Sequence, residues 1–87
     1  MQTIKTNGLN LDALKSDIAN NEIRVLVNGQ PETVDFKQWC IEMAKMFYNR
    51  HGIFITWTEV KNVITEISNG AQPEYKIGTD LYAKLDY

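Results

Sequence analysis

One cysteine, one histidine and two prolines in 87 residues close several routes at once. Cys40 alone forms no internal disulfide, and a lone thiol suits a reducing compartment better than a secreted scaffold. One cysteine and one histidine fall short of a zinc ligand set, so neither a metal nor any other cofactor is expected. Two prolines and five glycines are too few for a flexible linker, and no repeat or low-complexity tract breaks the chain. A single domain over residues 1–87 follows. No apolar run approaches a membrane span, and residues 1–10 lack the apolar core of a signal peptide. The expected location is cytoplasmic, in the protein's own cell or a host's, with no membrane partner.

Positive charge is also scarce. The formal charge is −2 and the pI about 5.2, where a general nucleic-acid binder is normally basic. Only residues 36–51 carry a positive balance, through Lys37, Lys45 and Arg50 against Glu42.

What the chain does contain is a set of capped amphipathic segments. Residues 2–6 alternate weakly around Ile4 and could form an edge strand. Asn10 suits a helix N-cap, with Asp12 placed to complement the helix dipole. Leu11, Leu14 and Ile18 share one face of a helix of about three turns, which Asn20-Asn21 ends. Residues 23–27 are β-rich, and Asn28-Gly29 is a strong hairpin signal because both residues tolerate positive φ. Pro31 puts the return arm, residues 30–34, at a sheet edge. Apolar residues on both faces of residues 23–27 predict a central strand covered by helices.

Most large apolar residues fall within residues 35–70. Asp35 and Gln38 have capping-box spacing, and Val34 with Trp39 that of a hydrophobic staple. At about 100° per residue, Phe36, Trp39, Cys40, Met43, Met46 and Phe47 form one broad apolar arc. Ile41, Ala44 and Tyr48 widen it beyond half the circumference, so this helix should be buried on more than one side. His51 and Gly52 suit its C-terminus. Residues 53–55 could add a short strand. Thr56 and Glu59 form a second capping box, Ile55 and Val60 a second staple, and Trp57, Val60, Val63, Ile64 and Ile67 a narrow apolar stripe. Asn69-Gly70 ends that helix. In the tail, the alternation of Leu81, Ala83, Leu85 and Tyr87 favours a hairpin with residues 75–77. The alternative is a short helix over residues 80–86 capped by Thr79. The predicted fold is a small α+β domain: short helix, β-hairpin, two longer packed helices and a C-terminal hairpin, or short helix, joining a small antiparallel sheet.

Chemistry is hard to find. Cys40 and His51 lie about 20° apart around one helix but roughly 16 Å apart along it, too far for a nucleophile and its base. Cys40 reads as a small core residue. Glu59 and Glu66 are about 10 Å apart on a polar face, where carboxylates stay solvated rather than catalytic. Phosphate-binding glycine motifs are absent. A helix-turn-helix needs a shorter link than residues 52–57, and its second helix would present Glu59 and Glu66 to phosphates. A non-enzymatic protein is therefore expected.

The surplus of apolar and aromatic surface points to protein–protein contact, as a regulator or inhibitor of a larger protein or as a homo-oligomer. Small accessory proteins of phages and mobile elements share this profile. The residues expected to serve such contact are Ile41, Met46, Tyr48, Tyr75, Tyr82 and Tyr87, on the grounds of exposed apolar arc and interface-prone tyrosines. The alternative is a nucleic-acid-binding regulator using Lys37, Lys45 and Arg50; the mild acidity of the chain weighs against it.

Overall fold

The computed structural model describes residues 9–87; the edge strand expected over residues 2–6 lies outside them. The described residues fold in the order α1 (Leu11–Ala19), β1 (Glu22–Val27), β2 (Gln30–Asp35), α2 (Phe36–His51), α3 (Trp57–Ser68) and α4 (Tyr75–Lys84). Four helices and a two-stranded antiparallel sheet make a small α+β domain.

The hairpin forms as its turn chemistry dictates. Asn28 and Gly29 have φ of 52° and 80°, the pair of positive values a type I′ turn needs. Ile23 pairs with Val34 and Leu26 with Pro31. Among the described residues no further strand pairs beyond β2, which is where Pro31 costs no ladder hydrogen bond. The expectation of a strand covered on both faces needs correction. Ile23 and Val25 are fully buried, but Glu22 and Arg24 on the opposite face are exposed and Leu26 is half-buried. Two charged side chains outweigh one leucine there. The other edge of β1 is met by one bridge, Val25 to Leu85, with the Asp86 N–H donating to the Arg24 carbonyl at 3.0 Å.

α2 begins at Asp35, whose carboxylate accepts from the Gln38 N–H at 2.8 Å. Only half of the expected box closes, because the Gln38 amide donates instead to Glu42 at 3.0 Å. Asn21 supplies the missing support. Its left-handed backbone, φ 57°, lets its carbonyl accept from Phe36 N–H, its side-chain oxygen accept from Lys37 N–H, and its amide donate to Asp35. The residue that ends α1 therefore also seats the N-terminus of α2. α2 then lies between the sheet and α3, so its wide apolar arc is used: Phe36, Trp39, Cys40 and Phe47 are buried and Met43, Ala44 and Met46 pack against them.

Gly52, left-handed at φ 65°, ends α2, and the Ile53 N–H reaches back to the Phe47 carbonyl at 3.1 Å. Residues 52–56 form no strand; they are an irregular link between α2 and α3. Thr56 and Glu59 close the full capping box of α3, which buries Val60, Ile64 and Ile67 against α1, α2 and α4.

The tail is helical, and the favoured C-terminal hairpin is not formed. Nor does Thr79 cap a helix over residues 80–86: it sits inside α4, its hydroxyl donating to the Tyr75 carbonyl at 2.9 Å. The physical reason is spacing. Ile77, Leu81 and Leu85 recur every four residues, Leu81 and Leu85 are fully buried and Ile77 half-buried, and this stripe packs on α3 and β1. The apolar alternation read as a strand shares Leu81 and Leu85 with that stripe.

Candidate functional site

With the core closed, the large apolar side chains left in solvent are few. Phe54 is 85% exposed, Tyr75 86% and Tyr48 53%. Phe54 stands outward between two neighbours that face the other way: Ile53 and Ile55 are half-buried and pack against the core. Its ring rests on that of Tyr48, centroids 5.0 Å apart. Tyr75 is the first residue of α4 and has φ 61°, an unfavourable backbone for a tyrosine. Glu74, at the N-cap, makes no side-chain capping bond.

Tyr75 lines a groove of about 510 Å³ between α3 on one side and residues 71–74 with the start of α4 on the other, with Ile55, Val63, Ile67 and Ile77 among its apolar lining. A shallower depression of about 260 Å³, lined by Tyr48, Phe54 and Ile55, meets it at Ile55. Glu59, Glu66 and Glu74 also line the groove, and no lysine or arginine does. The Glu59 carboxyl is held below the usual carboxylate range by the Thr56 N–H at 2.9 Å and the Thr56 hydroxyl at 3.1 Å.

The residues expected to mediate contact scatter. Tyr48 and Tyr75 lie on this surface. Ile41 is half-buried on α2, and Met46 packs against the core. Tyr82 also packs against the core, with its hydroxyl buried and without a hydrogen-bond partner among the described residues. Tyr87 is tied inside the molecule: its hydroxyl donates to Asp17 at 2.6 Å and accepts from the Arg24 N–H at 2.9 Å. Arg24 Nε lies 3.0 Å from the same Asp17 carboxylate, and its guanidinium stands 5.4 Å from the centre of the Tyr87 ring. Phe54 was missed by reading residues 53–55 only as a strand or apolar link. The signal was there, since a staple using Ile55 leaves Phe54 pointing the other way.

The basic residues do not converge. Lys45 and Arg50 stand about 80° and 220° around α2 from Lys37 at the 3.6-residue repeat. Lys45 lies 3.8 Å from Glu42, Arg50 is exposed, and Lys37 sits 5.1 Å from the centre of the Trp57 ring, which Lys61 approaches at 6.0 Å. Burial pushes the Cys40 thiol up to about 12, so it is protonated and inert near neutral pH. His51 is exposed at the end of α2, its ring 6.1 Å from that of Phe47. Among the described residues no group of three histidine, cysteine or acidic side chains is placed to hold a metal ion, and no helix is long and apolar enough to cross a membrane.

Comparison with known proteins yields no match: no family model, no curated protein and no solved structure resembles this chain.

Proposed function

We propose that this protein is non-enzymatic and acts by protein–protein contact, as a regulator or inhibitor of a larger protein or as a homo-oligomeric accessory protein of the phage or mobile-element kind, in the cytosol of its own or a host cell. The observation that carries this reading is the placement of Phe54 and Tyr75, each more than four-fifths exposed, on surfaces that meet at Ile55. Aromatic side chains of this size are the residues that anchor interfaces when a partner covers them, and grouped apolar exposure marks interaction surfaces where single exposed residues do not. The buried, protonated Cys40 supports the non-enzymatic part by removing the chain's one thiol from the candidate nucleophiles.

The test compares the wild-type protein with a Phe54→Ser, Tyr75→Ser double variant by light scattering after size exclusion and by affinity capture. A mass above the monomer, or a partner retained at micromolar protein, that is lost in the variant supports the proposal. A monodisperse monomer that retains nothing, or behaviour identical in the two proteins, overturns it.

A second reading, a nucleic-acid-binding regulator, draws on Lys37 and Lys61 flanking Trp57. It requires binding to mixed-sequence DNA or RNA at low salt that weakens steeply as salt rises. No binding at low salt removes it.

A further inference from the structure

We propose that the groove between α3 and α4 receives a basic amphipathic helix of a partner protein. This rests on the protein–protein reading above and names the chemistry of the partner.

Charge is the first argument. Glu59, Glu66 and Glu74 line the groove without a lysine or arginine beside them. The ion pairs of the described residues join Asp17 to Arg24, Glu42 to Lys45 and Lys76 to Asp80, so none of these three glutamates is neutralised from within the described chain. Thr56 holds Glu59 by hydrogen bonds that favour its ionised form. An apolar floor beneath uncompensated carboxylates suits a ligand with an apolar stripe flanked by lysine or arginine, and repels an acidic one.

Shape gives the second. Glu59, Val63, Glu66 and Ile67 mark the groove along two turns of α3, about 12 Å at 1.5 Å per residue. One wall is α3 and the other is formed by residues 71–74 and the first turn of α4, and no strand of the described residues lines the groove. Strand addition has no template here, whereas a helix laid in the groove can direct residues at i and i+4 onto Ile77 and Val63.

Tyr75 is the third. A tyrosine at φ 61° bears a backbone cost, and with 86% of its surface exposed its ring gains little packing from the described residues. Strain of this kind concentrates at ligand clamps, and Tyr75 stands at the groove's edge.

The probe is a Leu/Lys amphipathic peptide of about 14 residues, four helical turns, with a Leu/Glu peptide of the same leucine pattern as its counterpart. Binding is followed by fluorescence anisotropy and by amide chemical shifts. The Leu/Lys peptide is expected to bind the wild-type protein with shifts at Val63, Ile77 and Tyr75, and the Leu/Glu peptide is not. A Glu66→Lys, Glu74→Lys variant should weaken binding at least about tenfold. A Glu22→Lys, Glu32→Lys variant, which changes the net charge equally on the hairpin, should leave it intact. Circular dichroism checks that both variants fold. If the groove variant does not, the shift map and the Leu/Glu peptide on wild-type protein decide alone. Equal loss in both variants, shifts spread over the acidic surface, or no binding overturns the proposal. Should the protein instead form a dimer that depends on Phe54 and Tyr75 but survives Glu66→Lys, Glu74→Lys, contact as the mode of action stands and the basic-helix partner falls.

Discussion

Tyr87→Phe removes one oxygen from the three-residue tie that fastens the C-terminal end to α1 and β1. That oxygen donates to the Asp17 carboxylate at 2.6 Å and accepts from the Arg24 N–H at 2.9 Å. A hydrogen bond to a charged group contributes about 1.5–3 kcal/mol. The lower end applies here, because Asp17 keeps Arg24 Nε at 3.0 Å and the exposed Arg24 backbone can bond water instead. A loss of about 1.5 kcal/mol in a domain of this size lowers Tm by about 6–12 °C. The change also has a pH signature. Burial, helped by the bond to Asp17, raises the Tyr87 phenol well above its ordinary value, so the fold keeps a proton that the unfolded chain releases from about pH 10 upward. The stability this provides is fully present below about pH 10 and is lost as the pH rises beyond it. Thermal melts by circular dichroism at neutral pH, with a series from pH 9 to about 11, measure both effects. Subtracting the variant's curve from the wild type's cancels the groups that the two proteins share. A Tm within about 2 °C of wild type at neutral pH, or alkaline slopes that coincide, would refute the reasoning.

Tyr82→Phe is the same substitution with the opposite expected sign: its hydroxyl is buried without a partner among the described residues, so removal should be neutral or stabilise by up to about 1 kcal/mol in urea denaturation. Asn21→Ala should cost about 2–3 kcal/mol, combining lost capping with an alanine at φ 57°. Asn21→Gly should cost only about 1 kcal/mol, because glycine accepts that backbone. Gly78→Ala should stabilise α4 by about 0.5–1 kcal/mol, since the added carbon meets Pro73 at 3.6–3.8 Å, ordinary contact; a lowered Tm would mean that the helix cannot accept it. Cys40, fully buried and with its thiol pushed up to about 12, should react with a thiol reagent near neutral pH only at the rate of unfolding, and prompt labelling of the native protein would contradict its placement.

Residues whose structure is fixed by near neighbours were legible. Asn10, Asn28-Gly29, Gly52 and the Thr56/Glu59 box each take the conformation their side chains dictate, because the interactions span only a few residues. Asp35 was half legible: its own capping bond forms, but Gln38 turns to Glu42 and the second cap comes from Asn21, 14 residues earlier. Nothing local announces a partner that a hairpin must first bring into place. The hairpin favoured for the tail failed for a related reason, while its alternative, a short helix, named the right kind of element with other bounds. Leu81 and Leu85 fit a period of two and a period of four equally well, and the choice was made by α3 and β1, against which both are buried. Tyr87 was taken for a surface anchor because its bond to Asp17 crosses 70 residues of sequence.

The candidate contact surface illustrates the limit of periodicity as a guide to function. The wide apolar arc of α2 predicted spare surface on that helix, and the sheet on one side and α3 on the other account for nearly all of it. Tyr48 alone remains well exposed among the large apolar members of the arc. The other two exposed rings come from junctions: Phe54 from the link before α3 and Tyr75 from the first residue of α4. Within a helix, a residue's angle commits it to one face, and a face that is mostly apolar finds a neighbour to bury it. At a junction, caps and staples set the direction of each side chain separately, so a large aromatic can stand out of the fold without exposing a whole helical stripe. In a chain this small, that leaves large aromatic rings in solvent while the core stays closed, so the proposed contact surface lies at the helix starts rather than along the helices.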